Sequence, residues 1–346
     1  FFFSSRRRHT RFRNVTEVQT CALPILLTGA SALAASLGFN PQPRAQAAWP
    51  KGSIKFVHGY PAGQTPDILA RQISPALTEL SGVPWVVEAR PGGGERLAAN
   101  QMAQLARQPA DGQTVYQMTG GLTVISAVDR SIQFDLMRDF TYISMLTQYP
   151  FVFWVPANSP FRGLGDMIDF ARKNPGKLSY GSTGVGNTLH MSVELMNSMT
   201  DVKMTHIAYK GPNAYTDVAG GVLDMTVGTF STGRSLYKDG RIRPLAITSP
   251  QRWMDLSEIP AVAETVPGYE VVTWAALCVP GRLADDIRDR LNKMTRDTLA
   301  LPDVIAKIHA SGAMPAPNSP EQMRQRVQGD IDKWKKVAAY AKIELS

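Results

Sequence analysis

Two short segments, GYPAGQTPD at 59–67 and YGSTGVGNT at 180–188, place glycines and small hydroxyl or amide side chains between the end of a strand pattern and the start of a helix pattern. At such junctions backbone N–H groups lack intrahelical partners and the helix terminus carries a partial positive charge. The chemistry on offer is anion binding, and two loops of this kind facing each other would hold a small molecule at both ends. Ser182, Thr183 and Asn187 add short donors suited to a carboxylate. The plainer alternative is that both are tight strand-to-helix turns.

Catalytic patterns are weaker. Ser182 lies in G-S-T-G, without the G-x-S-x-G spacing of a nucleophile elbow. No G-x-x-x-x-G-K-[ST] phosphate loop occurs, and GVGNTL lacks the third glycine of a dinucleotide fingerprint. His58, His190, His206 and His309 are scattered without metal-ligand spacing, so neither a metal nor another cofactor is expected. Each lone histidine is most simply a packed or capping residue, although His190 follows the second glycine loop closely enough to face a ligand. Asp67 is either a favourable charge in a first helical turn or a group that orients a ligand or water. Asp224 is either a strand-edge residue or a similar orienting group.

Elements to position these residues follow from the alternation of short apolar runs with helical patterns after Ile54, which indicates an α/β protein. Strands are expected at 54–58, 84–89, 113–118 and 150–156, and again around 178–182, in MTHIAY, MTVGT and PLAIT, and at 271–280. A helix is expected to open with Thr65 as its cap and Pro66 at its first position, with Ile68, Leu69, Ile73, Ala76, Leu77 and Leu80 facing inward. Pro75 should kink or split it. Further helices are expected at 96–106, 164–173, 284–300, 303–311 and 320–341. The strand, small-residue loop and helix units at 54–80 and 178–199 form a coarse pair, which suggests similar halves around a cleft.

The chain of 346 residues carries a formal net charge of +8. Six of its 37 Lys+Arg but one of its 29 Asp+Glu fall in residues 1–47, leaving a net +3 for residues 48–346. The basicity is therefore that of a tail, and no nucleic-acid partner is expected. Residues 1–25 have neither helical nor alternating period, and no Met precedes Met102; this segment is expected to be non-native read-through. Residues 26–47 combine an apolar stretch with Ala45-Gln46-Ala47, the pattern of a truncated secretory signal, so a periplasmic protein beginning near Ala48 is expected. Outside the tail Cys278 stands alone in the apolar run WAALCVP, a buried thiol rather than a nucleophile.

The runs FVHGYPAGQTPDILAR (56–71), VVEARPGGG (86–94), ADGQTVYQM (110–118) and MRDFTYISML (137–146), with LSYGSTGVGNTLHMSVELM and HIAYKGPNAYTDVAGGVLDM further on, resemble the substrate-binding proteins of tripartite tricarboxylate transporters, the Bordetella uptake gene family. The resemblance covers nearly all of residues 48–346. It implies a monomeric, non-enzymatic, type II-like periplasmic binding protein with a mixed sheet in each of two lobes and a ligand cleft between them. Residues 48–150 and 273–346 would form the first lobe and residues 151–272 the second. It also implies delivery of a small carboxylated metabolite to membrane permease subunits. In the family, two loops hold the ligand carboxylate, and these map onto Tyr60, Ala62, Gly63 and Gln64 in the first and Ser182, Thr183, Gly184 and Asn187 in the second. Thr119, His190 and Asp224 would flank them.

The chain departs from the family pattern at Gln64, where the usual P-A-G-G loop ends in Gly, and at Glu95 and Arg96, which replace small residues in R-P-G-A-G-G-N-I-G. Both departures bear on which ligand is taken. Two other roles stay open on the residues alone: a periplasmic enzyme using Asp67 or His190 as a base, and a ligand sensor that partners a signalling receptor.

Overall fold

The computed structural model describes residues 49–209 and 213–343. The segments read as read-through (1–25) and signal peptide (26–47), and the start near Ala48, lie outside the described residues. From Ile54 the chain runs β1 (Ile54–His58), α1 (Thr65–Ser81), β2 (Trp85–Ala89), α2 (Arg96–Leu105), β3 (Thr114–Thr119) and α3 (Gly121–Val128). Next come β4 (Phe140–Pro150), β5 (Val152–Pro156), α4 (Leu164–Lys173), β6 (Ser179–Ser182), α5 (Thr188–Thr200), β7 (Thr205–Ala208), α6 (Asn213–Ala219), β8 (Met225–Gly228), α7 (Phe230–Lys238) and β9 (Ile242–Ile247). The short α8 (Val262–Thr265) precedes β10 (Val272–Pro280), α9 (Asp285–Leu299), α10 (Pro302–Ala310), β11 (Met314–Pro315) and α11 (Pro320–Ala341).

These strands form two mixed sheets, in the orders β11-β4-β10-β3-β1-β2 and β7-β6-β8-β5-β9. The internal pairing observed in the sequence extends to the topology. In the first sheet β1 lies parallel between β2 and β3, and β10 joins β3 antiparallel. In the second, β6 lies parallel between β7 and β8, and β5 joins β8 antiparallel. The loops after β1 and β6 thus occupy equivalent places, at the carboxyl end of a strand whose parallel neighbours lie on both sides. That is the crevice where open α/β sheets bind ligands.

The chain passes between the sheets at 150–152 and 271–272. Thr248, fully buried, ties the two passages together. Its N–H donates to the Phe151 carbonyl at 2.9 Å, and its hydroxyl donates to the Val271 carbonyl at 2.7 Å. Helix α11 packs in both cores: Met323, Val327 and Ile331 join the cluster around Tyr116 and Trp274, whereas Trp334, Val337 and Ala338 join the one around Phe153 and Tyr180.

Several expectations need correction. Helix α1 has Gln64 as its cap, which puts Thr65 and Pro66 in its first turn. It runs unbroken through Pro75, which lies on the exposed side, where water can satisfy the carbonyl left without a donor. Ile68 and Leu80 are exposed; Ala70 joins Leu69, Ile73 and Leu77 on the buried face. Strand β4 and helix α3 have no counterpart in the sequence-based reading. Among the described residues no helix is long and apolar enough to cross a membrane.

Candidate functional site

The first loop leaves β1 at His58 and enters α1 at Thr65, and its backbone is tied down from behind by Asp67. One carboxylate oxygen of Asp67 accepts from His58 Nε2 at 3.1 Å and the other from the Gly63 N–H at 2.9 Å, while Arg71 Nε reaches both. Burial opposes the charge on Asp67, but the bonds from Arg71 and Gly63 outweigh it and hold the carboxyl below its usual value. Burial also lowers the His58 pKa, so His58 accepts the Tyr60 N–H at Nδ1 and donates from Nε2. The expectation of bare amides is therefore met only in part. The N–H groups of Tyr60, Gly63 and Gln64 are already used, the last by the Pro61 carbonyl at 3.3 Å. Ala62, Gly63 and Gln64 are exposed, and Gly63 holds φ at +81°, a conformation that disfavours any side chain.

Asp67 is thus a correction: its carboxylate positions the loop and has no free oxygen to turn toward a ligand. Tyr60, in contrast, points across the mouth of the sheet, and its hydroxyl meets Thr119 Oγ1 at 2.9 Å. Behind them lies Glu95, which is fully buried. Its Oε1 accepts from the Tyr116 hydroxyl at 2.7 Å and from the Thr119 N–H at 3.2 Å, and its Oε2 accepts from the Thr119 hydroxyl at 2.5 Å. Burial pushes the Glu95 carboxyl up to about 7, although the bonds from Thr119 and Tyr116 favour its ionised form. Burial likewise raises the phenols of Tyr60 and Tyr116 well above their usual value, so both stay protonated donors.

The second loop follows β6. Ser182 is turned inward, its hydroxyl between the Gly184 carbonyl at 3.1 Å and His206 Nε2 at 2.8 Å. Asn187 caps α5 by accepting the His190 N–H at 2.9 Å, and its amide donates to Thr183 Oγ1 at 2.9 Å. His190 is another correction. Its ring is buried, and its Nδ1 accepts the Gly186 N–H at 3.0 Å, so it props the loop from below and has no free lone pair to act as a base. Burial, then the neighbouring His206, lowers its pKa. Thr183 and Val185 are exposed, Gly184 is half-buried with φ at +136°, and the N–H groups of these three residues carry no hydrogen bond among the described residues.

Asp224 corrects the expectation further. It immediately precedes β8 and accepts from the N–H and hydroxyl of Ser179, at 2.8 and 2.9 Å. Because β6 and β8 are parallel, this places it at the end of the sheet opposite the glycine loop.

The two loops approach each other at Gly121, the first residue of α3. A Cβ there would lie 3.3 Å from Thr119 Oγ1, 3.5 Å from the Tyr60 hydroxyl and 3.8 Å from Thr188 Oγ1. Hydroxyls from the first sheet and from the start of α5 therefore share one small space. Sequence reading missed Gly121, Thr188 and the inward Glu95. His206, read as a packed or capping residue, is indeed packed: it stacks on His190 and its Nε2 meets the Ser182 hydroxyl at 2.8 Å.

Comparison with known proteins accords with this arrangement. The chain is 31% identical over 293 residues to a UPF0065 protein encoded in the tcbD-tcbE intergenic region of Pseudomonas sp. strain P51, covering 84% of this chain and 86% of that protein. It is 26% identical to the protein BugT of Bordetella pertussis, covering 83% and 88% respectively. Among solved structures, R. palustris Rpa4515 with adipate superposes with a TM-score of 0.75 at 33% identity, covering 86% of this chain and all of that one. A periplasmic transporter structure gives 0.73 at 26% identity, with 86% and 100% coverage. The family model described as Tripartite tricarboxylate transporter family receptor matches residues 69–343, and with this fold and these relatives the chain belongs to that family of periplasmic solute-binding receptors.

Proposed function

We propose that this receptor captures a small carboxylate-bearing metabolite between its two sheets and delivers it to the membrane subunits of a tripartite transporter. The ligand carboxylate is held by the N–H groups of Thr183, Gly184 and Val185, which carry no hydrogen bond among the described residues, in the loop that leads into α5, where the helix field favours an anion. Tyr60 and Thr119 line the opposing side, Thr188 faces them from the start of α5, and Ala62, Gly63, Gln64 and Asn187 shape the two rims. The lobes are taken as residues 48–150 with 273–346 and residues 151–272, closing about the passages joined by Thr248. The observation that carries this reading is the meeting of hydroxyls from both loops at Gly121, where no side chain intervenes. The adipate in R. palustris Rpa4515 supports a carboxylated ligand.

The test is Gly121→Leu, which fills the shared space, alongside Thr183→Ala. Calorimetric titration with a panel of carboxylates is expected to show binding to the parent protein, a loss of about tenfold or more in Gly121→Leu, and unchanged circular dichroism. Unaltered affinity in Gly121→Leu would refute the site.

A further inference from the structure

Glu95 is fully buried, and the surrounding structure is fitted to it. Its φ is +81°, a left-handed conformation that a non-glycine residue adopts only at a cost. Gly59 gives it room, since a Cβ on Gly59 would come within 2.5 Å of Glu95 Cγ and 2.8 Å of its Cα. A conformation of this cost persists only where the surroundings determine it, and here they do so through Tyr116 and both donors of Thr119.

The consequence is a change in what the first sheet can offer. When Glu95 is ionised, as at pH 8, the Thr119 hydroxyl donates its proton to it, so at their 2.9 Å contact the Tyr60 hydroxyl is the donor and Thr119 the acceptor. Tyr60 has then spent its only proton and presents lone pairs. Nearby, the Gly63 N–H is spent on Asp67. Two resident carboxylates thus occupy donors that would otherwise face an incoming anion, and the second carboxylate of a diacid would meet acceptors and the nearby charge of Glu95. An amide, hydroxyl or ammonium group would find partners there.

Building on the binding role assigned above, we propose that the ligand is a monocarboxylate with a hydrogen-bond-donating far end, an ω-amide or ω-amino acid, and that Glu95 sets this choice against dicarboxylates. The carboxylate lies on the second loop and the donating end lies on Tyr60.

The experiment titrates the full chain by calorimetry at pH 8 with straight-chain diacids from succinate to adipate, each beside its monoamide and its ω-amino counterpart. Parallel titrations use Glu95→Gly, which relieves the left-handed backbone and frees the Thr119 and Tyr116 donors, and Glu95→Gln, which keeps the volume without the charge. The parent protein is expected to bind a monoamide or amino acid about tenfold or more tighter than the matching diacid, and Glu95→Gly to shift that ratio about tenfold toward the diacid. Glu95→Gln is expected to narrow the ratio, which keeps the test sound if the glycine variant folds poorly. Equal affinity of the parent for diacid and monoamide, or a ratio unmoved in both variants, would overturn the role of Glu95 while leaving the receptor reading standing. If every probe fails with the parent and both variants, the carboxylate-binding reading itself is overturned, and this inference with it.

Discussion

The imidazoles of His190 and His206 stack face to face, with ring centroids 3.9 Å apart and planes inclined by 20°. Tyr180 lies against both, 6.2 Å from His190 and 5.0 Å from His206, and bonds Glu194 at 2.6 Å. Burial pushes His206 down to about 4 and lowers His190 too, and a proton on either ring is resisted by the other. Below the unfolded value of 6.5 the unfolded chain binds protons that the folded chain refuses, so the stability from this pair is present above pH 6.5 and lost as pH falls toward 4. The urea midpoint of His206→Gln is expected to fall less steeply than that of the parent across this window. Parallel slopes would count against a neutral stacked pair.

Glu95 gives the opposite slope. Its carboxyl moves from an ordinary 4.5 to about 7 on folding, so the folded chain holds a proton that the unfolded chain has released. Stability is full below pH 4.5 and declines as pH rises through 7, by about 3 kcal/mol in all. Glu95→Gln is expected to remove this decline. Melting temperatures of parent and variant, measured from pH 5 to pH 8, should diverge steadily toward acid; a constant offset would show that Glu95 is not protonated in the folded protein.

Gly233 is fixed by contact rather than by backbone angle. A Cβ there would lie 2.6 Å from Cε2 and 2.7 Å from Cζ2 of Trp154, a fully buried indole packed between Phe230 and Tyr237. The rigid ring cannot yield, so Gly233→Ala is expected to destabilise the protein by about 1–3 kcal/mol despite the higher helix propensity of alanine. Urea denaturation would measure it, and a gain in stability would contradict this packing.

Asp330 accepts from Trp274 Nε1 at 2.7 Å and from Arg326 Nε at 3.0 Å, joining α11 to the middle of β10. Asp330→Ala strands a buried indole N–H, which should cost about 1–3 kcal/mol. Urea denaturation would measure the loss, and an unchanged denaturation midpoint would contradict it.

Much of the framework was readable in advance because periodicity records burial. The bounds of α4 and α11 and the run of β10 follow directly from apolar spacing. Strand β4 escaped because Thr141, Ser144, Thr147 and Gln148 interrupt its apolar residues, and Ser144 and Thr147 are buried all the same. At the site, chain order identifies the loops but not the direction of their side chains. Asp67 and His190 had the right types at the right places, yet each turns back to secure the loop beside it. Asp224 was misassigned because a residue just before a parallel strand belongs to the end away from the ligand. Glu95 was visible as a departure from the pattern, but only its left-handed backbone, following Gly92, Gly93 and Gly94 at positive φ, sends its carboxyl inward.

Helix α11 has 22 residues and so spans about 33 Å, with its early turns under one core and its late turns under the other. During synthesis the segment that forms the second sheet leaves the ribosome well before Trp334, Val337 and Ala338 exist. Its apolar underside stays uncovered until the tail of the chain arrives, so the second core closes last.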